Sequence, residues 1–289
     1  MRLKSYRSAS EFLRAAQTAL DRDEVANALM LGICGQVRQD PTRYKSDPYL
    51  ATVSQGDELA FAAVMTPPYK VIIASVRDDY AEAAELVVLD LLESGWSVPG
   101  VLGPLAAAKD FAETWMDITG ADYRQGMLQR IYQLTEVIPP EVRRGELRVA
   151  TLDDTEMVAE WISRFHHEAL GGQSVGAGPQ ELAEVGIRAQ EIYLWQDDGV
   201  PVSMAAERRP FSRGTTISLV YTPPELRGKG YASSCVAALS QHLLDKGYEY
   251  CTLFTDLSNP TSNSIYQKIG YVPVCDFVDY FFGSGDRCE

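Results

Sequence analysis

The chain has 289 residues, of which 46% are hydrophobic and 23% charged, and its formal net charge is −14. That length allows two domains of ordinary size around large cores, and the composition is that of a soluble globular protein. The acidic balance argues against nucleic acid as a partner, since phosphate contacts need basic surface. It suits a cationic acceptor such as an amine, and equally suits acids that only keep the protein in solution. No apolar run is long enough to cross a bilayer, and the basic start Met1–Ser10 has no hydrophobic stretch behind it. Neither a membrane span nor a signal peptide is therefore expected, and the expected compartment is the cytoplasm. The five cysteines (Cys34, Cys235, Cys251, Cys275, Cys288) form no C-x-x-C pair and no metal-ligand spacing. Cys235, Cys251 and Cys275 read as small buried hydrophobes, and a reducing compartment fits, with no metal implied.

In chain order, residues 12–37 read as helical and residues 49–75 as strands. Ala84, Val87, Val88 and Leu91 form a helical stripe ended by Gly95. A second helix over 105–119 stops at Gly120. The stretch 135–148, with Pro139-Pro140 and Arg143-Arg144-Gly145, reads as an inter-domain linker. Beyond it, residues 147–150 read as a strand, and Asp153-Asp154 as the cap of a helix carrying Val158, Trp161 and Ile162. The glycine-rich stretch 171–178 reads as a mobile loop. Residues 191–196 and 200–207 flank Asp197-Asp198-Gly199, a hairpin signal. A strand over 215–221 follows, then a helix from Tyr231 carrying Ala232, Val236, Leu239 and Leu243 and stopped by Gly247. Residues 250–255 form another strand. Asn259 caps a helix whose first residue is Pro260 and which ends at Gly270, and residues 271–282 hold strands. Gly120 and Gly270 close corresponding helices 150 positions apart, so the order of elements reads as a divergent internal repeat.

The residues richest in chemistry are Leu226-Arg227-Gly228-Lys229-Gly230-Tyr231-Ala232-Ser233. They leave a strand and open a helix. Two glycines let the backbone turn tightly and approach a ligand. The unpaired N–H groups at the helix start and the helix dipole favour an anion there, and Arg227 and Lys229 add positive charge. The spacing is neither that of a P-loop nor that of the dinucleotide fingerprint. The corresponding turn of the first half, Val76-Arg77-Asp78-Asp79-Tyr80, has no glycine and two acids, which would repel a phosphate.

These residues resemble the signature of the GNAT superfamily of acyl-CoA-dependent N-acetyltransferases, in which Gln or Arg is followed by Gly and then Gly or Ala: here Arg227, Gly230 and Ala232. The resemblance extends through Val220-Tyr221-Thr222-Pro223-Pro224-Glu225 and through Asn259-Pro260-Thr261-Ser262-Asn263-Ser264-Ile265-Tyr266-Gln267-Lys268-Ile269-Gly270-Tyr271. It covers about the last half of the chain. It implies an α/β (α+β) fold of two tandem GNAT-like domains, each a mixed, mostly antiparallel sheet flanked by helices. Residues 1–138 would be a degenerate copy without a cofactor site, and residues 145–289 the acetyltransferase domain. It implies that Val220, Tyr221 and Thr222 line the pantetheine arm and thioester through backbone hydrogen bonds. Arg227, Gly228, Lys229, Gly230, Tyr231, Ala232 and Ser233 would cradle the pyrophosphate. Asn259 would hold the pantetheine arm, with Asn263 beside it among the cofactor-binding residues, and Tyr266 would protonate the leaving thiolate.

The residue types agree with these roles. Asn259 and Tyr266 are seven apart and share a helix face, and a tyrosine hydroxyl can donate to a sulfur anion that forms as a thioester breaks. Each also has a plainer reading: Asn259 as a helix cap, Tyr266 as a core residue, Lys229 as a solvated turn residue. The glutamate that relatives carry on the strand before the signature, or five residues before the Asn, is replaced by Thr216 and Phe254. The candidate bases are Glu207, Asp256 and the pair His166-His167, with Glu207 preferred; a base acting through water would also serve. The resulting expectation is direct transfer of an acetyl group from acetyl-CoA to a small-molecule or peptide amine, with no nucleic-acid or membrane partner. The alternatives are an acyl-CoA-binding module without catalysis and an interaction protein that binds no cofactor.

Overall fold

The computed structural model describes residues 1–140, 145–170 and 177–283. The chain divides into two compact units. Unit 1 comprises Met1–Ile131, Asp256–Ser258 and the chain from Val274 onward; unit 2 comprises Tyr132–Thr255 and Asn259–Pro273.

Unit 1 holds β1 (Arg2–Ser5), α1 (Ala9–Leu20), α2 (Ala28–Gln39), β2 (Tyr49–Gln55), β3 (Glu58–Met65), β4 (Val71–Ser75), α3 (Ala81–Glu93), β5 (Gly100–Pro104), α4 (Leu105–Thr119) and most of β6 (Tyr123–Leu134). The helical stretch expected over 12–37 is two helices, separated by a 3-10 turn at Asp21–Asp23. The strands β1, β2, β3 and β4 pair antiparallel, and β4 pairs parallel with β5. Alternation splits the sheet's side chains by face. Tyr49, Ala51, Val53, Phe61, Ala63, Ile73 and Val101 join Val87, Leu91, Phe111 and Trp115 of α3 and α4 in one core. The helix α4 ends as its sequence requires, at Gly120 with φ 72, where a side chain would be strained.

The sheet of unit 1 is completed by the last strand of the chain. Phe277–Phe281 of β12 (Val272–Phe282) run antiparallel to Gly100–Pro104. A Cβ on Gly100 would stand 2.0 Å from the Tyr280 carbonyl oxygen, so this pairing needs glycine there.

Unit 2 holds β7 (Glu146–Val149), α5 (Thr155–Leu170), α6 (Pro179–Arg188), β8 (Ile192–Asp197), β9 (Val200–Arg208), β10 (Gly214–Tyr221), α7 (Tyr231–Asp245), β11 (Tyr250–Asp256) and α8 (Pro260–Lys268). Its strand order is β11-β10-β9-β8-β7. β7, β8, β9 and β10 are antiparallel, and β10 pairs parallel with β11. The parallel pair is joined through α7, as parallel strands require a crossover. The β8–β9 turn has Asp198 and Gly199 at φ 49 and 79, the two positive angles of a type I′ hairpin. One face of the sheet packs on α7 and α8 through Tyr193, Ala205, Ile217, Val236, Leu239 and Tyr266; the other packs on α5 and α6 through Leu194, Met204, Ala206, Val158 and Ile162.

The cap of α5 differs from the sequence expectation. Thr151 is the capping residue and Asp154 its reciprocal partner, around a 3-10 turn at Leu152–Asp154. Asp154 also accepts from Arg148 at 2.7 Å. That pair holds the Asp154 carboxyl down at about 2. Helix α6 has no counterpart among the sequence expectations; it is a ten-residue helix of low overall hydropathy whose few apolar residues, Leu182, Ala183 and Ile187, line one face. Of the expected mobile loop 171–178, residues 171–176 lie outside the described residues, as do linker residues 141–144 and Cys288. Cys235 and Cys251 are buried in unit 2, where burial lifts their thiols to about 12. Cys34 is fully buried and Cys275 partly buried in unit 1.

Candidate active site

The strand before the signature is irregular where it matters. β10 stays in register with β9 through Ser218↔Ala206 and resumes at Tyr221↔Met204. Leu219 and Val220 therefore stand opposite Ala205 alone, and Leu219 has φ 51. This is a β-bulge, which leaves main-chain groups without a ladder partner and turns the strand. It also exchanges faces: Ile217 and Val220 pack toward α7, whereas Leu219 and Tyr221 pack toward α5. On the other side, the β10–β11 register ends at Thr216↔Thr252. From that point β10 runs on for five more residues, the bulge among them, beyond its register with β11.

The turn follows directly. Pro224–Leu226 form a 3-10 turn, Gly228 and Gly230 have φ 76 and 80, and α7 begins at Tyr231. A Cβ on Gly228 would meet nothing within 4 Å; the demand for glycine is therefore conformational, since few other residues tolerate this angle. Ser234 N–H donates to Gly230 O at 3.0 Å and starts the ladder of α7. The helical amides before it have no intrahelical acceptor, and no side chain caps them. The first turn of α7 contains no acid. Lys229 is exposed. Arg227 folds back: its Nε donates to Thr222 O at 2.9 Å and its Nη2 to Glu168 Oε2 at 2.6 Å. The Tyr231 hydroxyl donates to Asp197 at 2.6 Å, and Thr222 Oγ1 lies 2.9 Å from Ser203 Oγ. Together these contacts fix both ends of the turn.

Helix α8 presents the second group of residues. Asn259 Oδ1 accepts from Ser262 N–H at 3.0 Å, the capping role expected. That bond uses the amide oxygen alone, and the Nδ2 hydrogens remain available to a ligand carbonyl. Asn263 is committed internally: it accepts from the Tyr132 hydroxyl at 3.0 Å and donates to Asn259 O at 2.7 Å. It braces the helix start. Tyr266 is 8% exposed and sits among Tyr132 and Tyr271, ring centroids 6.4 and 6.0 Å away. Burial pushes its pKa up to about 12. Its hydroxyl has no hydrogen-bond partner among the described residues, yet it is not one of the fully enclosed unpartnered atoms. A buried ring with an open, unpaired hydroxyl is a poor design for a core residue and a suitable one for a donor.

The preferred base is placed elsewhere. Glu207 shares its face of β9 with Ala205, pointing under α7. Its Oε2 accepts from Lys246 Nζ at 2.8 Å and its Oε1 from the Tyr248 hydroxyl at 2.8 Å. Lys246 and Tyr248 follow the C-terminal end of α7, about four turns of helix from the glycine turn. Both carboxylate oxygens are engaged, so the geometry gives Glu207 the task of tying down that end of α7. Asp256 accepts from Ser258 N–H at 2.8 Å as a turn residue. His167 is exposed. His166 Nδ1 is buried without a hydrogen-bond partner among the described residues, and burial lowers its pKa. Thr216 and Thr252 pair through their hydroxyls, 3.2 Å apart, where a carboxylate was noted as missing. A cavity of about 540 Å³, lined by Gly145, Glu146, Gln196, Asp197, Asp198 and Gly199, lies at the β8–β9 hairpin and contains none of the expected site residues.

Among the described residues no cluster of His, Cys, Asp and Glu is arranged to hold a metal, and no helix is long and apolar enough to cross a membrane.

Unit 2 thus combines a bulged strand, a glycine turn opening a helix and a second helix with Asn and Tyr two turns apart, the elements of the GNAT fold. Comparison with known proteins agrees. Residues 198–278 match the family model described as FR47-like protein. Over nearly its whole length the chain is similar in structure to an acetyltransferase of the GNAT family from Colwellia psychrerythraea, with TM-score 0.57, 13% identity and coverage of 98% of this chain and 100% of that one. A Drosophila protein matches with TM-score 0.69 at 14% identity, covering 96% and 98%. A tandem GNAT protein from the clavulanic acid biosynthesis pathway matches with TM-score 0.54 at 14% identity, covering 96% and 98%. No curated protein sequence matches. The chain thus has the GNAT acetyltransferase fold in a tandem arrangement, with a mixed, mostly antiparallel sheet flanked by helices.

Proposed function

We propose that unit 2 transfers an acetyl group from acetyl-CoA to an amine, and that unit 1 carries no cofactor site. The observation that carries this reading is the bulge at Leu219–Val220 running into the Arg227–Ser233 turn, where Gly228 and Gly230 take left-handed backbone at a helix start that no side chain caps. The amides that open α7 suit a diphosphate by partial charge and by the helix dipole. The Val220–Thr222 backbone suits the amide groups of a pantetheine arm, and Asn259 Nδ2 can donate to one of them. Amides freed by the bulge would stabilise the oxyanion that develops on the thioester carbonyl.

The chemistry balances without a covalent enzyme intermediate. A deprotonated amine attacks the thioester carbon, the C–N bond forms and the C–S bond breaks. The departing sulfur takes a hydrogen bond, and finally a proton, from the Tyr266 hydroxyl, and the surplus proton of the attacking nitrogen returns through water to Tyr266. With its pKa at about 12, Tyr266 stays protonated through the neutral range, which a donor needs. An ordinary thiol titrates near 8.5, so complete transfer from Tyr266 is uphill and its main contribution is hydrogen-bond donation in the transition state. With Glu207 engaged by Lys246 and Tyr248, the acceptor is deprotonated by solvent or through water.

A thiol-release assay with acetyl-CoA and a panel of small and peptide amines tests this reading. Turnover is expected with at least one amine. Tyr266→Phe should lower kcat by about 10² to 10⁴ while leaving acetyl-CoA affinity unchanged. Binding without thiol release on any amine would favour the non-catalytic module, and unchanged turnover in Tyr266→Phe would remove that residue from the mechanism.

A further inference from the structure

The turn that suits a diphosphate already holds a carboxylate. Arg227, its first residue, donates to Glu168 Oε2 at 2.6 Å, and Glu168 comes from α5, 59 positions earlier. The contact is built from three sides. Arg227 Nε is tied to Thr222 O at 2.9 Å, which fixes the guanidinium at the end of β10. Its carbon lies 5.7 Å from the centre of the Tyr221 ring. The Tyr221 hydroxyl approaches Glu168 Oε1 at 3.5 Å. Tyr221 reaches this position because the bulge turned it to the α5 face. The first turn of α7 supplies no acid of its own; Glu168 brings a carboxylate to Arg227 at the helix mouth, as Asp197 brings one to Tyr231.

We propose that Glu168 is a built-in competitor for the acyl donor: it holds Arg227 until a diphosphate replaces it, and so sets how tightly this protein takes nucleotide-bearing thioesters over those that lack a diphosphate. This rests on the reading of unit 2 as an acyl-CoA site. Both partners are nearly half exposed, at 46% and 41%, which makes the ion pair weak and the exchange easy. A doubly ionised diphosphate offers the guanidinium two oxygens where Glu168 offers one. Arg227 then needs no large movement, because Thr222 keeps its Nε edge in place.

The test is a double-mutant cycle in the full chain, read by titration calorimetry with acetyl-CoA. Glu168→Gln should tighten acetyl-CoA by about threefold, the size of one exposed ion pair, and the gain should fade as salt rises. The gain should vanish in the Arg227→Ala background. S-acetylpantetheine, which has no diphosphate, should bind Glu168→Gln and wild type alike. Glu156→Gln, an exposed residue in the first turn of the same helix, reports the loss of a distant negative charge and should tighten binding less than Glu168→Gln does. Equal or weaker acetyl-CoA binding by Glu168→Gln, or a gain that persists without Arg227, would overturn the competitor while leaving the acyl-CoA reading intact. A wild type that binds no acetyl-CoA would end both.

Discussion

The mouths of α3 and α7 begin from the same plan and end with opposite electrostatics. Each helix follows a strand that pairs parallel with the next one, β4 with β5 in unit 1 and β10 with β11 in unit 2. In unit 1, β4 stays in register with β3 from Ile72 to its last residue, Ser75. In unit 2, β10 bulges before its end. The turn into α3 has no glycine; Arg77 is bonded to Asp79 at 2.6 Å and to Glu58 at 3.3 Å, and that pair lowers the Asp79 pKa. The Tyr80 hydroxyl donates to Asp110 at 2.8 Å. Carboxylates thus crowd the mouth of α3, Asp79 from its own turn, Glu58 from β3 and Asp110 from α4. At α7 the carboxylate on Arg227 comes from a distant helix, and the first turn holds no acid. The two mouths therefore differ by a strand irregularity and by the lack of an acid in the first turn of α7, as much as by the glycines themselves.

This contrast can be broken or sharpened by experiment. The largest effect is expected from carrying the acid of unit 1 into unit 2. Lys229 is exposed, so Lys229→Asp should fold normally. It should weaken acetyl-CoA by about tenfold or more, since a cation near the helix start becomes a like charge. Calorimetry would show this, and would show one acetyl-CoA per wild-type chain; two per chain would erase the difference between the mouths. A smaller effect is expected at the far end of α7. Glu207→Gln should leave kcat within about twofold and the pH profile unchanged, while lowering stability by about 1 to 3 kcal/mol, because a buried partner of Lys246 and Tyr248 loses its charge. A large loss of kcat with stability intact would restore Glu207 as the base.

The smallest effect concerns α5, a third mouth, closed by Asp154 with Arg148 and Thr151. Its folded pKa of about 2 lies below the ordinary 3.8. Its stabilisation is therefore fully present above about pH 4 and is lost as pH falls through 2. Asp154→Asn should lower stability by about 1 kcal/mol at neutral pH and flatten the acid side of the stability curve between those values. Thermal melts at stepped pH would show it, and an unchanged acid limb would dismiss the network.

Much of unit 2 was legible in the sequence because its signals are local. Gly247 and Gly270, at φ 105 and 107, stop helices by backbone angle. Asn259-Pro260 starts one by capping chemistry, and Asp198-Gly199 makes a hairpin. The positions of Gly228, Gly230, Asn259 and Tyr266 on turn and helix followed from the same kind of evidence, as did the helix 105–119. Helix α6 and the strands β1, β5 and β6 were missed. They are short or only half-buried, and their apolar alternation is faint.

The sequence by itself determined where helices begin and end and which turn could accept an anion, since both depend on φ angles, capping groups and charges within a few residues. Only the tertiary structure decided that β12 completes the sheet of unit 1 and that β10 bulges at Leu219–Val220. It also decided that Glu207 is engaged by Lys246 while Glu168 reaches Arg227. Each of these is a pairing between residues far apart in the chain, chosen by packing and by the need to satisfy buried polar groups, and no local pattern encodes such a choice.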